Sequence, residues 1–183
     1  MNKVFPRLET ERLILGKIKE ADISVIVKYA GNKKIAENTL NIPHPYTKED
    51  AKFWVRNSNK GFENGTQFTF GIRIKPTNEF IGGIGLKIEP KFDRAEMGYW
   101  IAEKFWNNGF ATEAVKAVLA YGFNGLKLNK ILATHLVENS ASGKVMIKNR
   151  MIKEGELKEH TKKNGVYQSL IQFRLTRTEF NQY

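Results

Sequence analysis

The sequence predicts an α/β (α+β) fold, with a mixed, mostly antiparallel twisted sheet of about six to seven strands and about four helices on its two faces. Residues 68–75 alternate apolar and polar over most of their length, and 80–88 read as the next strand after a turn at Pro76, so the two predict an antiparallel hairpin. A helical pattern after Gly109 is followed by a strand pattern over 130–137, so the strands that flank this helix should be parallel. Antiparallel and parallel neighbours in one chain predict a mixed sheet.

The first part of the chain predicts a strand followed by two helices. Residues 12–18 have the β-rich composition of a strand, and 21–30 follow as a helix because their apolar residues recur at helical spacing. Two prolines exclude regular structure from 41–46. Thr47 is a good N-cap with acidic residues behind it, so a helix to about residue 57 is expected.

The second part of the chain completes the predicted sheet. Residues 96–101 are an apolar strand that leads into an Asn- and Gly-rich turn, and the helix after Gly109 has the clearest apolar periodicity in the chain. Residues 139–148 predict a further helix. Two final strands bracket Asn164-Gly165, a pair that favours a tight hairpin turn.

Length and composition predict one domain, 1–183, with its core at about 10–178. No apolar run approaches the roughly 18 residues of a membrane helix, and the N-terminus lacks a secretory signal, so we expect a cytoplasmic protein with no membrane partner. The chain has no cysteine, which excludes a disulfide and a cysteine nucleophile. His44, His135 and His160 lack metal-ligand spacing, and no metal is expected.

The net charge of +11 is unevenly distributed. Residues 1–60 and 144–183 each carry +5, whereas 61–143 carry only +1. The excess is either solvated lysine or a field that steers an anionic partner, such as a nucleotide-bearing cofactor, an acidic protein or an RNA surface.

The segment 96–114 carries the most chemical information. Its turn, with Gly109 allowing close approach of the backbone, offers free N–H groups beside the positive end of a helix, and the Thr112 hydroxyl is a further donor. Glu96 lies on the strand that leads into this turn and is a candidate base. An anion site and a base on one segment suggest group transfer from a phosphorylated carrier. The alternatives are an ordinary connecting loop and a Glu96 paired with a nearby Lys or Arg.

The stretch Trp106-Asn-Asn-Gly-Phe-Ala-Thr-Glu-Ala114 resembles the acetyl-CoA-binding motif of the GNAT N-acetyltransferases. It is most similar to the RimJ/RimL ribosomal-protein N-acetyltransferase branch, which often has Trp-Gly-Lys-Gly-Tyr-Ala-Thr-Glu-Ala. Four further stretches resemble that branch, namely 8–15, 42–51, Glu96-Met-Gly-Tyr-Trp100 and Asn139-Ser-Ala-Ser142. The resemblance implies the GNAT fold, with acetyl-CoA as the donor substrate and no metal.

Two departures from the branch stand out. Asn107 and Asn108 replace a usual Gly and a usual basic residue, so one positive charge near the pyrophosphate is missing. Asn149, Arg150 and Met151 replace a usual Leu-Gly-Phe, which bears on the local turn and its packing.

The resemblance also implies catalytic roles. Glu96 would take a proton from the attacking amine, directly or through water, and Ser142 would protonate the leaving thiolate. Asn139 would bind the pantetheine arm or the backbone near it. Helix capping is the alternative for Asn139 and Ser142.

The cofactor site follows from the same resemblance. The strand around residues 100 and 101 would pair with the pantetheine arm, and the amides from 107 to 112 would hold the pyrophosphate. The predicted cofactor-binding residues are Trp100, Ile101, Trp106, Asn107, Asn108, Gly109, Phe110, Ala111, Thr112, Asn139 and Ser142.

The acceptor would enter from the opposite side, between the N-terminal helices and the final hairpin, with His44, Tyr46, Tyr99 and Tyr167 as its predicted binding residues. We therefore predict an acetyl-CoA-dependent N-acetyltransferase for a primary amine, foremost a protein N-terminus, with a ribosome association implied by the resemblance. The alternatives are a small-molecule amine as acceptor, and a non-catalytic CoA-binding or RNA- and ribosome-binding protein. A monomer and a homodimer are both compatible with the sequence.

Overall fold

In the computed structural model, which describes residues 4–182, one eight-stranded sheet has the order β1-β2-β3-β4-β5-β6-β8-β7. The strands are β1 (Leu8–Glu9), β2 (Leu13–Lys17), β3 (Gln67–Ile74), β4 (Phe80–Glu89), β5 (Arg94–Ile101), β6 (Lys130–Leu136), β7 (Ile152–Lys163) and β8 (Val166–Thr176). The helices are α1 (Ile23–Ala30), α2 (Lys33–Asn38), α3 (Lys48–Glu63), α4 (Phe110–Ala120), α5 (Ser140–Lys148) and α6 (Arg177–Asn181).

The strand directions confirm the predicted mixed sheet. β3, β4 and β5 are antiparallel neighbours, and β7 and β8 form the predicted hairpin about Asn164-Gly165, whose residues have positive φ. β5 and β6 are parallel, because α4 crosses between them as the helical pattern indicates. The central position of β5 places the segment singled out in the sequence in the middle of the sheet.

Helices cover both faces of the sheet, as predicted. One core lies between the sheet and helices α4 and α5, and it includes Met97 of β5, Val115 of α4 and Met146 of α5. The other core lies between the sheet and helices α1 to α3, and it includes Trp100 of β5 and Val55 of α3. Because successive side chains of a strand point to opposite faces, β5 contributes to both cores.

The observed element count is higher than predicted. The sequence patterns miss β1, α2 and α6, which have two, six and five residues and are too short to show a period. Helix α3 also continues to Glu63, beyond the predicted end near residue 57. Its last part is polar and contains Gly61, a poor helix former, but Phe62 is buried and its ring packs against the rings of Phe5 and Phe68.

No helix within residues 4–182 is both long enough and apolar enough to cross a bilayer.

Candidate active site

The parallel ladder between β5 and β6 ends before either strand does. It runs from Arg94 beside Lys130 to Met97 beside Ala133, and then stops. β5 nevertheless continues to Ile101, paired with β4, and β6 continues to Leu136, paired with β8. The two strands therefore separate, and their facing backbone groups are left without ladder partners. An extended ligand that inserts into this split can pair with the exposed strand edge as an added strand does.

The loop after β5 leads to the N-terminus of α4 at the same end of the sheet. Asn107 and Gly109 have φ of +62° and +78°, in the left-handed region that Asn tolerates and Gly favours. Gly109 is the N-cap and has no side chain to cap the helix. The first amides of α4, from Phe110 to Thr112, are consequently available to a ligand at the positive end of the helix dipole. This geometry suits an anion such as a pyrophosphate.

Arg12, from the first part of the chain, supports this loop. Its guanidinium donates to the Asn108 carbonyl at 3.0 Å and lies 4.7 Å from the centre of the Phe110 ring. A second branch of the guanidinium is 2.7 Å from a Glu113 carboxylate oxygen. The structure thus brings a cation to the loop in which the usual basic residue is replaced by Asn. Its partners Asn108 and Glu113 lie 96 and 101 positions further along the chain, so no local sequence pattern could have identified Arg12 as part of the site.

Glu113 holds Arg12 in place. Its carboxylate accepts hydrogen bonds from the Thr10 hydroxyl at 2.5 Å and from the Arg12 backbone N–H at 2.8 Å. Burial alone would raise the pKa of Glu113, but these hydrogen bonds and the Arg12 guanidinium outweigh it and lower the pKa below its usual value. Glu113 is therefore a charged anchor that ties β1 and β2 to the first turn of α4.

Glu96 is exposed on the face of the sheet that α1 to α3 cover. The Thr134 hydroxyl, across the start of the split, is 3.4 Å from its carboxylate. Lys87 is its partner in the β4–β5 ladder, yet no cation of residues 4–182 forms an ion pair with Glu96. The structure therefore does not support the alternative of a structural ion pair, and the carboxylate is available to a ligand.

Tyr99 and Ser142 meet on the opposite face. Tyr99, which the sequence predicts to bind the acceptor, directs its hydroxyl toward α5, where it lies 2.8 Å from the Ser142 hydroxyl and 3.2 Å from the Ser142 carbonyl. Burial raises the pKa of Tyr99 to about 12, and the hydrogen bond with Ser142 opposes this rise only in part. The phenol is consequently neutral at ordinary pH and holds the Ser142 hydroxyl beside the split. Sequence reasoning missed this pairing because 43 positions separate the two residues.

Asn139 caps α5. Its side-chain oxygen accepts from the Ser142 backbone N–H at 3.1 Å, and its amide donates to the Asn38 carbonyl at 3.0 Å. The capping alternative therefore describes its observed contacts. Binding of the pantetheine arm by Asn139 stays a prediction.

The two tryptophans of the segment 96–114 have different surroundings. Trp100 is buried, 9% exposed, and its ring lies 6.1 Å from that of Trp54. Trp106 donates from its indole N–H to the Ile101 carbonyl at 2.6 Å, which fixes the loop to the end of β5.

The residues predicted to bind the acceptor lie on separate segments. His44 is exposed and precedes a cis peptide bond to Pro45, whereas Tyr46 packs into the core beneath α1 to α3. Burial, and to a smaller extent the Asp50 charge, raises the pKa of Tyr46 to about 12. Tyr167 is 61% exposed on the final hairpin. Neither a hydrogen bond nor a ring contact joins Tyr167 to the other two in the part of the chain that the structure describes.

Lys163 connects these segments. Its ammonium donates to the Ala36, Glu37 and Thr39 carbonyls at the end of α2, with the Thr39 bond at 2.8 Å. Burial lowers the pKa of Lys163. These hydrogen bonds hold the end of the β7–β8 hairpin against the segment that leads to His44. The two segments predicted to flank the acceptor entrance are therefore joined at this point.

Residues 149–151, where the sequence departs from the RimJ/RimL branch, still form a turn after α5. Asn149 ends α5 and donates through its side chain to the Thr112 carbonyl at 3.1 Å, and Arg150 takes the left-handed φ of +63° at the position where the branch usually has Gly. Met151 is 3% exposed and lies in the core with Val115. The packing is preserved, and Asn149 adds a bond to the first turn of α4.

Comparisons with known proteins agree with this arrangement. The family model described as "Acetyltransferase (GNAT) domain" matches residues 12–152. The uncharacterized N-acetyltransferase YoaA of Bacillus subtilis is 33% identical over 163 residues, which are 88% of this chain and 92% of that protein. The ribosomal-protein-serine acetyltransferase of Escherichia coli is 29% identical over 138 residues, 74% of this chain and 76% of that protein. A GNAT-family acetyltransferase structure from Bacillus anthracis has a TM-score of 0.85 at 26% identity and covers 95% of this chain and 100% of that one.

The chain belongs to the GNAT family of N-acetyltransferases. The resemblance read from residues 106–114 is thus confirmed, and so are the GNAT fold and the prediction of an enzyme. GNAT acetyltransferases use acetyl-CoA, and the relatives of this chain include a ribosomal-protein acetyltransferase.

Proposed function

We propose that this enzyme transfers the acetyl group of acetyl-CoA to a primary amine, and that the acceptor is a protein N-terminal amine. The observation that carries the proposal is the β5–β6 split, which opens beside the α4 N-terminus and has Glu96 on one face and the Tyr99–Ser142 pair on the other. The relation to the Escherichia coli ribosomal-protein-serine acetyltransferase favours a protein acceptor over a small-molecule amine.

The donor is held by backbone groups. The amides from Asn107 to Thr112 bind the pyrophosphate, with the positive end of α4 and the nearby Arg12 guanidinium supplying the charge complement. The pantetheine arm enters the split and pairs with the free edge of β5 near Trp100. The thioester then lies between the two faces of the sheet, within reach of groups from both.

The chemical step is direct attack in a ternary complex. Glu96 accepts a proton from the acceptor ammonium, directly or through water, and the neutral nitrogen attacks the acetyl carbon. As the C–N bond forms, the C–S bond breaks and the electron pair leaves with sulfur. The nitrogen loses its second proton to water as the amide forms. The Ser142 hydroxyl donates a proton to the thiolate and regains one from water, and Tyr99 orients that hydroxyl. No covalent enzyme intermediate is required.

The test combines turnover with binding. The protein is mixed with acetyl-CoA and a panel of N-terminal peptides and small amines, free CoA release is followed, and CoA binding is measured by calorimetry. We expect CoA binding and peptide-dependent release of CoA. Absence of CoA binding would overturn the proposal, and turnover confined to small amines would replace the protein acceptor with a small-molecule one.

A further inference from the structure

Helix α2 lies across the open end of the β5–β6 split. The two strands are parallel, so both leave the split at the same edge of the sheet, β5 into the turn that begins at Glu103 and β6 into the turn that ends at Asn139. The Asn32 side chain, which caps α2, donates to the Glu103 carboxylate at 2.6 Å, and the Lys34 ammonium forms an ion pair with the same carboxylate. At the other end of α2, the Asn38 carbonyl accepts from the Asn139 side chain at 3.0 Å. The helix thus joins the exit of one strand to the exit of the other.

The length of α2 fits the width of the split. Neighbouring strands are about 4.8 Å apart, so two strands that admit one extended ligand between them are about 10 Å apart. A helix of six residues is about 9 Å long, at a rise of about 1.5 Å per residue. The helix therefore spans the split with little to spare, which is why its two ends lie on the two strand exits.

The two ends of α2 are held differently. Its N-terminus follows α1 after only two residues, so the backbone of a neighbouring helix fixes it. After its C-terminus, residues 39–47 form neither helix nor strand before α3 begins. This end is held by side chains from elsewhere in the chain, namely Asn139 and Lys163, and the Lys163 ammonium donates to three carbonyls of the last turn of α2 and the residue after it.

The inner surface of α2 is small. Ile35 and Ala36 are its two buried residues, and they belong to the same core as Trp100 and Ala102 at the end of β5. Two apolar side chains, one of them a single methyl group, bury little surface. The polar side chains at its C-terminus therefore decide how firmly that end is held against the split.

Lys163 reaches α2 from a hairpin that extends beyond the body of the sheet. The last β6–β8 ladder pair joins Leu136 to Leu170, so no strand lies on the β6 side of the hairpin beyond that point. A register shift between Leu157 and Thr161 interrupts the β7–β8 ladder below the tip, and an irregularity of this kind bends a strand. The tip can consequently hold α2 or release it without disturbing the central strands.

We propose that α2 is a gate across the open end of the β5–β6 split, hinged where it meets Glu103 and latched by Lys163. Release of the Lys163 bonds frees the C-terminus of α2 and uncovers the split on the side of α1 to α3. The occupant that the gate admits is the amine acceptor, because the donor is held on the α4 side. The inference rests on the proposed function, since it assigns control of access to that reaction.

The first measurement needs no ligand. Lys163→Met keeps the length of the side chain and removes its donors, so the backbone amides of 33–39 should exchange with deuterium about tenfold faster, whereas those of α1 should not change. Lys162→Met is the matched control, because it removes the same charge one residue away and Lys162 contacts the Tyr167 ring of its own hairpin. This control should exchange like the wild type. Equal exchange of 33–39 in the wild type and Lys163→Met would overturn the latch.

The second measurement is turnover with the peptide or amine that the wild type acetylates best. An acceptor that requires the open gate binds with an affinity reduced by the open fraction, so Lys163→Met should lower the acceptor KM about threefold to tenfold. CoA affinity should not change in this variant. Lys163→Arg keeps the charge and the donors and should restore the wild-type KM, as should Lys162→Met.

A role of Lys163 in structure alone predicts the opposite sign. A raised or unchanged acceptor KM in Lys163→Met, together with faster exchange of 33–39, would overturn the gate. Failure of the wild type to bind CoA would instead overturn the proposed function. The exchange measurement would still decide in that case whether Lys163 holds α2, so the two failures are distinguishable.

Discussion

The two sides of the β5–β6 split are built differently. On the donor side, the loop before α4 is tied to the rest of the protein by Arg12, by Trp106 and, through Glu113, by Thr10. On the acceptor side, Glu96 has one hydroxyl contact at 3.4 Å. Gly98 is exposed there, and a Cβ atom built on it would meet no atom within 4 Å. A dense network suits a donor that is always the same molecule, whereas a sparsely bonded face can be altered for different acceptors without loss of the fold.

Glu96→Gln changes the acceptor side, and it is expected to have the largest effect on the rate. The amide cannot accept the proton of the ammonium, so kcat should fall by about 100-fold or more, and the rise of rate with pH should change. CoA affinity should stay at the wild-type value, because Glu96 lies on the acceptor side. Steady-state rates across pH and CoA calorimetry measure the two quantities. A pH–rate profile identical to that of the wild type would remove Glu96 from the mechanism.

On the donor side, Glu113→Gln most directly disrupts the hydrogen-bond network that holds the loop before α4. Loss of the carboxylate weakens its bonds to Arg12 and Thr10, so CoA affinity should fall about tenfold and stability by about 1–2 kcal/mol, whereas the acceptor KM should not change. Glu63, an exposed carboxylate at the end of α3, provides the control variant Glu63→Gln. An altered acceptor KM in Glu113→Gln would contradict the separation of the two sides.

The same residue predicts a pH effect on stability. The pKa of Glu113 is lower in the folded protein than its ordinary value of 4.5, so the unfolded chain binds the proton more tightly. Its contribution to the free energy of unfolding is present above pH 4.5 and is lost as the pH falls through the lowered folded pKa. Unfolding of the wild type and Glu113→Gln in urea from pH 7 to pH 3 should show curves that converge toward low pH. If the difference in the free energy of unfolding between the wild type and Glu113→Gln stayed constant from pH 7 to pH 3, ionisation of Glu113 would not be its source.

How much the sequence predicts also differs between the two sides. The anion site of α4 could be predicted, because Gly109 and the helix that follows it are contiguous in the chain. The support by Arg12 and the Tyr99–Ser142 pair could not, since each joins residues 43 or more positions apart. On the acceptor side Glu96 could be named from its strand. The position of α2 across the open end of the split could not, because the residues that bind its two ends lie 71 and 101 positions from their partners.

Tyr99→Phe tests the contact between Tyr99 and Ser142 on the face opposite Glu96. The variant keeps the ring in place and removes the hydrogen bonds of the phenol with the Ser142 hydroxyl and carbonyl, so kcat should fall about threefold to tenfold, with CoA affinity unchanged. In a Ser142→Ala background the same change should add nothing, because the group that Tyr99 orients is already absent. Steady-state kinetics of the two single variants and the double variant form the cycle. Independent, multiplying effects would assign Tyr99 a role of its own.

The smallest effect is expected from Asn107→Gly, which restores the residue that the family usually has in this loop. Asn107 has a φ of +62°, and glycine adopts this conformation without the cost that other residues meet, so the protein should be stabilised by at most about 1 kcal/mol. CoA affinity should hardly change, because the loop shape is already held by the Arg12 and Trp106 bonds. Thermal melting and CoA calorimetry are the measurements, with Asn64→Gly at the end of α3, where φ is −81°, as a control that should not stabilise. A gain in CoA affinity of tenfold or more would mean that Asn107 strains the loop, and that the donor side is less well preorganised than its hydrogen bonds indicate.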